Sequence, residues 1–249
     1  MLEQIRDLLH LDVQTVTGKT LGENLDTAAT EIIDERVIRA RSNPLDDGGS
    51  LVVLRGNLCP DGAVMKISAA NPRLLAHEGR AIVFEDIHDL AARVDDPELD
   101  VDANSVMLLR NAGPVGAPGM PEWGHLPIPA KLLRNGITDL LRISDARMSG
   151  TSYGAVVLHV APESAVGGPL ALVQTGDRIR LDVEARTLDM IVADEELEGR
   201  RAAWSAPARK DERGYRLLYE QHVLQANEGC DLDFLRGRSP IVTDTVTYL

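Results

Sequence analysis

One stretch sets the terms for how this chain can fold: residues 110–168, RNAGPVGAPGMPEWGHLPIPAKLLRNGITDLLRISDARMSGTSYGAVVLHVAPESAVGG. Gly and Pro crowd it, as they do surface linkers. Linkers rarely also hold Trp123, Ile137, Leu140, Leu141 and the run VVLHV (156–160). Gly- and Pro-rich sequence set among apolar residues implies backbone folded tightly around something. The rest of the chain reads as the scaffold that holds it.

That scaffold is legible as short elements. Strands are expected at LVVLRG (51–56) and AVMKIS (63–68), on either side of the turn at Pro60-Asp61-Gly62. Further strands are expected at 80–85, 105–111 and 154–162, and in a β-rich block of LALVQ (170–174), DRIRLDVE (177–184) and RTLDMIVA (186–193). DRIRLDV alternates and reads as half-exposed, with a hairpin at Glu184-Ala185-Arg186. VQTVTGKT (13–20) reads as a strand and turn. Apolar spacing predicts helices over 2–10, 21–30, 86–94 (Ile87, Leu90, Ala91 and Val94 on one face) and from Asp194. Residues 213–249 read as a terminal helix and arm, and 46–50 as a loop. With 249 residues and only 3% aromatics, the core must be built from Leu, Val, Ile and Ala. Many short strands without regular βαβ alternation predict an α+β fold with a barrel-like β core flanked by helices.

A net charge of −13 disfavours nucleic-acid partners. The basic cluster Arg200, Arg201, Arg209, Lys210 and Arg213 is interleaved with acids and reads as a solvated helix face. No run of about 18 apolar residues suggests a membrane span, and the first residues do not read as a leader. Two distant cysteines, Cys59 and Cys230, fit free thiols in a reducing cytoplasm.

Three tempting motifs fail their context. Gly18-Lys19-Thr20 resembles the end of a P-loop, but the required earlier glycine is Val13. Gly150-Thr151-Ser152-Tyr153-Gly154 matches G-x-S-x-G, but AVVLHVAP follows it and reads as a strand where a nucleophile elbow needs a helix. The six histidines show no metal spacing, and His159, alone in an apolar strand, reads as a hydrogen-bonded core residue. Two residues remain. Glu122 follows Pro-Gly-Met-Pro, a rigid setting in which a carboxylate is either a solvated loop residue or a ligand for a hard cation. Ser149 is, on its own, only a small polar loop residue.

Taken together, TVTGKTLGENL, GNLCPDGAVMKIS, RNAGPVGAPGMPE, ISDARMSGTSYGAVVLHVAPESAVGGPLALVQTGDRIRLDV, DEELEGRRAAW and HVLQANEGCDLDFL resemble the C-terminal portion of the dihydroxy-acid dehydratase / phosphogluconate dehydratase family. The resemblance runs from about Val13 to Leu235, and SDARMSG resembles the sugar-acid, arabinonate-type branch. It implies a swivelling β/β/α domain filling residues 1–249. It also implies a hydro-lyase that converts a 2,3-dihydroxy acid to a 2-keto-3-deoxy acid with an iron–sulfur cluster and magnesium. By resemblance, Ser149 is the general base at C2 and Glu122 a magnesium ligand. The family's cluster binds the departing 3-hydroxyl; a serine base needs nearby positive charge.

The departure from the pattern is as informative. Full members are more than twice this length, and their N-terminal domain carries the three cluster cysteines and most magnesium ligands. Neither Cys59 nor Cys230 matches a cluster position, and two cysteines cannot supply three. The expectation is therefore half an active site, in a separate subunit, a fragment or an excised domain, with little or no activity alone. Its partners would be the sugar acid and an N-terminal dehydratase domain or subunit, in a homo-oligomer when complete. The rival expectation is a non-catalytic or regulatory module that kept the domain for association.

Overall fold

The computed structural model describes residues 1–28, 34–45, 49–150, 153–208 and 213–236. The chain divides into two compact units, Met1–Gly49 and Ser50–Leu249.

In the first unit, residues Leu2–Leu8 form 3-10 turns rather than the expected α-helix over 2–10, because Ile5 leaves helical geometry at φ −124°. Helix α1 (Leu21–Asp26) starts where its sequence says. Thr20 accepts from the Glu23 amide, and the Glu23 carboxylate accepts from the Thr20 amide in return. Val13–Thr20 is a turn pinned by a bridge between Gln14 and Thr20, not a phosphate loop.

The second unit is built on eight strands: β1 (Leu51–Leu54), β2 (Gly62–Lys66), β3 (Ala76–Phe84), β4 (Val106–Leu109), β5 (Leu141–Ser144), β6 (Val156–Ala161), β7 (Arg178–Asp182) and β8 (Thr187–Ile191). Their order is β1-β2-β6-β5-β4-β3-β7-β8. The central four, β3 to β6, are parallel, and the outer pairs are antiparallel. The ends meet. Arg55 donates its N–H to Arg186 O, and Leu188 returns one to Arg55 O, so the sheet curls into a nearly closed barrel. Gly56 sits at this seam, where a Cβ would lie 2.1 Å from Leu188 O. The α+β, barrel-like expectation holds.

Period-two alternation gives the sheet two buried faces. Val83, Val106, Leu108, Leu141, Ile143, Val157, Leu181 and Leu188 fill the barrel. Ile82, Phe84, Met107, Leu109 and Leu140 face outward and pack under helices α2 (Ile87–Arg93) and α3 (Ala130–Arg134). This is why VMLL reads as a continuous apolar run. On α2 the buried face is Leu90 and Val94; Ala91 is exposed, one step round from the expected stripe.

Two further readings need correction. LALVQ is not a strand: Gly168 is wedged against Pro162 O, and Pro169–Leu172 follows as a 3-10 turn. Arg200, on helix α4 (Asp194–Ala203), is not on a solvated face. It is mostly buried and holds Asp177 at 2.9 Å. Strand β5 and helix α3 were not anticipated. Arg209 and Lys210, the loop at 46–48 and the arm beyond Arg236 lie outside the described residues. Of the terminal segment, Tyr215–His222 forms helix α5.

Candidate active site

The parallel strands β4, β5 and β6 end together, and the segments that follow them, 110–122, 144–150 and 161–164, meet at one edge of the barrel. Carboxyl ends of parallel strands are where such sheets place ligand sites.

Two buried carboxylates lace these segments together. Asp145 is fully buried. It accepts from the Ala112 amide at 3.0 Å, the Ser164 amide at 2.9 Å and the Ser164 hydroxyl at 2.5 Å. Glu163 is 1% exposed. It accepts from the amides of Val115 and Gly116 at 2.9 Å and from Gln225 Nε2 at 2.8 Å. Gln225 Oε1 accepts the Glu163 amide in turn, tying the C-terminal segment to the same edge. Every donor to these two carboxylates is neutral, so burial pushes both pKa values up while the hydrogen bonds pull against it. Gly113 is required here, because a Cβ would come within 2.7 Å of the Glu163 carboxylate.

The serine-bearing loop is held at its far end by a buried ion pair. Arg142 points outward from β5 with 1% exposure. It donates to Leu126 O at 2.9 Å, to Asp139 Oδ1 at 3.1 Å and to Tyr153 O at 3.1 Å. Asp139 accepts from the amides of Ala155 and Asn71. Gly154 passes so close, at φ +101°, that a Cβ would lie 2.0 Å from the guanidinium.

Between these anchors lies the tip. Ser149 is half-buried, and next to it Lys66 Nζ donates to Gly150 O at 3.1 Å. Glu122 comes to the same loop. Its carboxylate lies 3.6 Å from the Arg147 guanidinium, with both side chains 48% exposed. Arg147 Nε also donates to Met120 O at 2.6 Å, and the Gly124 amide donates to Arg147 O at 2.8 Å. The GMPE and SDARMSG segments are thus physically joined. Asn111, Met120 and His159 sit around this edge with left-handed backbone at φ +53°, +47° and +54°. Such strain in non-glycine residues collects at functional sites.

Asp145, Glu163 and Gln225 were not singled out from sequence. Their one local signal was that Asp145 and Glu163 each stand in a Gly/Pro-rich segment. The G-x-S-x-G reading stays excluded by context, since β6 follows it; Ser152 itself lies outside the described residues.

The residues do not fit an iron–sulfur cluster. Cys59 lies inside the barrel, where burial pushes its thiol up to about 12, and Cys230 is half-buried near the C-terminal segment. At neutral pH, iodoacetamide should leave Cys59 unlabelled in the native chain and modify it only after denaturation, with slow labelling of Cys230 as the internal comparison. Peptide mass spectrometry reads both. For a hard cation, Glu122 offers one accessible carboxylate, and no group of three or more His, Cys, Asp or Glu is set to hold a metal among the described residues. No helix among them is long and apolar enough to cross a membrane.

Known proteins resemble this chain in sequence. Residues 36–230 match the family described as dihydroxy-acid/6-phosphogluconate dehydratase C-terminal. The chain is 57% identical to a 6-deoxy-6-sulfo-D-gluconate dehydratase of Pseudomonas putida, covering 95% of this chain and 41% of that protein. It is 54% identical to an L-arabonate dehydratase of Azospirillum brasilense, covering 91% and 40%. To a dihydroxy-acid dehydratase of Ignicoccus hospitalis it is 40% identical, covering 91% and 40%. The chain thus spans about two fifths of the length of these relatives. On the matched family and these identities together, the chain belongs to the dihydroxy-acid/6-phosphogluconate dehydratase family and carries its C-terminal portion.

Proposed function

We propose that this chain supplies one wall of the active site of a cytoplasmic hydro-lyase that dehydrates a sugar acid to a 2-keto-3-deoxy acid. Higher identity to relatives named for sulfogluconate and arabonate than to one named for dihydroxy acid supports the sugar-acid class. The observation that carries the reading is the junction of Glu122 and the Ser149 loop through Arg147, at the carboxyl edge of the parallel strands.

In this reading Ser149 removes the proton from C2 while hydroxide leaves C3. The resulting enol takes a proton at C3 and becomes the ketone, so one water is lost overall. The chain's own contribution is to hold the serine. Asp145 fixes the start of its loop, Arg142 and Asp139 fix the end, and Lys66 places a cation one residue away. A serine gives up its proton only beside positive charge; the candidates on this chain are Lys66, bonded to Gly150 O, and Arg147, two residues before the serine. Glu122 would hold magnesium, a hard Lewis acid for the substrate's oxygens, together with ligands from outside this chain. Doing so means leaving Arg147, an exchange favoured by the length and exposure of that pair. Departure of the hydroxide depends on groups beyond this chain.

The test is reconstitution. The purified chain alone should show no turnover of L-arabinonate. Adding a polypeptide that comprises the N-terminal three fifths of the family, with iron, sulfide and magnesium, should produce the 2-keto-3-deoxy acid. Turnover by the chain alone, or none in the reconstituted mixture despite complex formation, overturns the reading.

A further inference from the structure

His159 does not sit as a core histidine. Strand β6 carries a bulge: Gly62 pairs with Ala161 and Val64 with Leu158, so His159 and Val160 together face Ala63. Strict alternation from Val157 would send His159 into the barrel. Instead Val160 takes that place, packed with Val157 in the interior. His159 is set apart with left-handed backbone at φ +54°, its amide donating to Ala146 O at 3.1 Å. The bulge therefore turns this residue onto the SDARMSG loop.

The ring is half-buried and, among the described residues, its nitrogens have no hydrogen-bond partner. Arg200 Nε is the one fully buried unpartnered side-chain atom among the described residues, so the His159 ring nitrogens stay reachable by water or by a ligand. Burial and then the charge of Arg147 lower its pKa, which keeps the imidazole neutral and places Arg147 within electrostatic reach. A neutral imidazole offers one donor and one acceptor, the complement of a hydroxyl group. The half-exposed guanidinium of Arg147 beside it suits a carboxylate.

We propose that His159 is a substrate-contacting residue of this site, its imidazole hydrogen-bonding a hydroxyl of a hydroxy acid whose carboxylate meets Arg147. The ligand class rests on the sugar-acid reading above; the geometry does not. Both groups belong to this chain, so the contact forms without a partner.

The full chain, labelled with 13C at histidine Cε1, is titrated with L-arabinonate and followed by NMR, the His159 signal being assigned by its loss in His159→Asn. Asparagine tolerates left-handed backbone, so that variant keeps the bulge. The expected result is a saturable shift of the His159 signal. L-arabinitol, which lacks the carboxylate, and valerate, which lacks the hydroxyls, should each bind at least tenfold more weakly. His159→Asn should weaken arabinonate binding about tenfold, read by calorimetry. If the variant misfolds, the signal is assigned by elimination, replacing the other five histidines one at a time, and the wild-type titration with its two control ligands decides. An unmoved His159 signal overturns the proposal, as does an equal response to valerate, which would leave only attraction of an anion to Arg147. Turnover plays no part in this measurement. Failed reconstitution with a responding His159 sinks the dehydratase reading and leaves this contact standing; a silent His159 with active reconstituted enzyme does the reverse.

Discussion

Ser149→Ala should lower sugar-acid dehydration by the reconstituted enzyme ~10²–10⁴-fold, the range for losing a positioned general base. Its melting temperature should fall far less than that of a variant at one of the loop's anchors. The two expectations belong together because of where the serine sits. The loop's fixed points are Asp145 at one end and Tyr153 and Ala155, held by Arg142 and Asp139, at the other. None of those bonds uses the Ser149 hydroxyl. Deleting it therefore leaves these anchors in place, unlike a change at an anchor, which would disturb chemistry and fold together. The loss should fall on kcat more than on KM, since a base acts on the transition state. Turnover within threefold of wild type would place the base elsewhere. If the chain also bound its partner normally, Ser149 would have no catalytic part, and the association-module alternative would take over.

What could be read from sequence followed how local each signal was. The helix beginning at Leu21, the alternation of DRIRLDV and the acid-first start of α4 are encoded within a few residues, and the structure contains all three. Strand β5 was missed because its outward positions are Arg142 and Ser144, which break the apolar run even though both are buried. Its burial depends on partners brought from residues 126, 139 and 153, which no window along the chain reveals. Arg200 misled for the same reason: its partner Asp177 lies 23 residues away in sequence. The site was half legible. Glu122 and Ser149 came from a family resemblance, and their approach through Arg147 adds a physical reason to group them. Asp145 and Glu163 have no motif of their own. Their role depends on amides at 112, 115, 116 and 164 converging in space. His159 reads as a hydrogen-bonded core residue because it stands alone in an apolar run, and the bulge that turns it aside shows only in the strand pairing.

Arg142→Met should cost ~3–5 kcal/mol of stability, the range for removing one partner of a buried ion pair. For a unit of about 200 residues this corresponds to a fall in melting temperature of ~6–20 °C. The guanidinium is 99% buried and makes four hydrogen bonds, to Leu126 O, Leu140 O, Tyr153 O and Asp139. Methionine fills much of the volume but satisfies none of those acceptors. It also leaves the Asp139 carboxylate buried with only the Asn71 and Ala155 amides as donors. Asp139→Asn in the same chain removes that stranded charge, so the double variant should regain part of the loss. Without Asp139 unpaired, the remaining deficit measures the three abandoned carbonyls. The site should feel the single change as well. Tyr153 and Ala155 mark the return of the serine loop to β6, so their amides should exchange with solvent faster in Arg142→Met than barrel amides such as Val157. If instead exchange rises uniformly, or the double variant is no more stable than the single one, Arg142 is ordinary packing and the buried pair does not hold the loop.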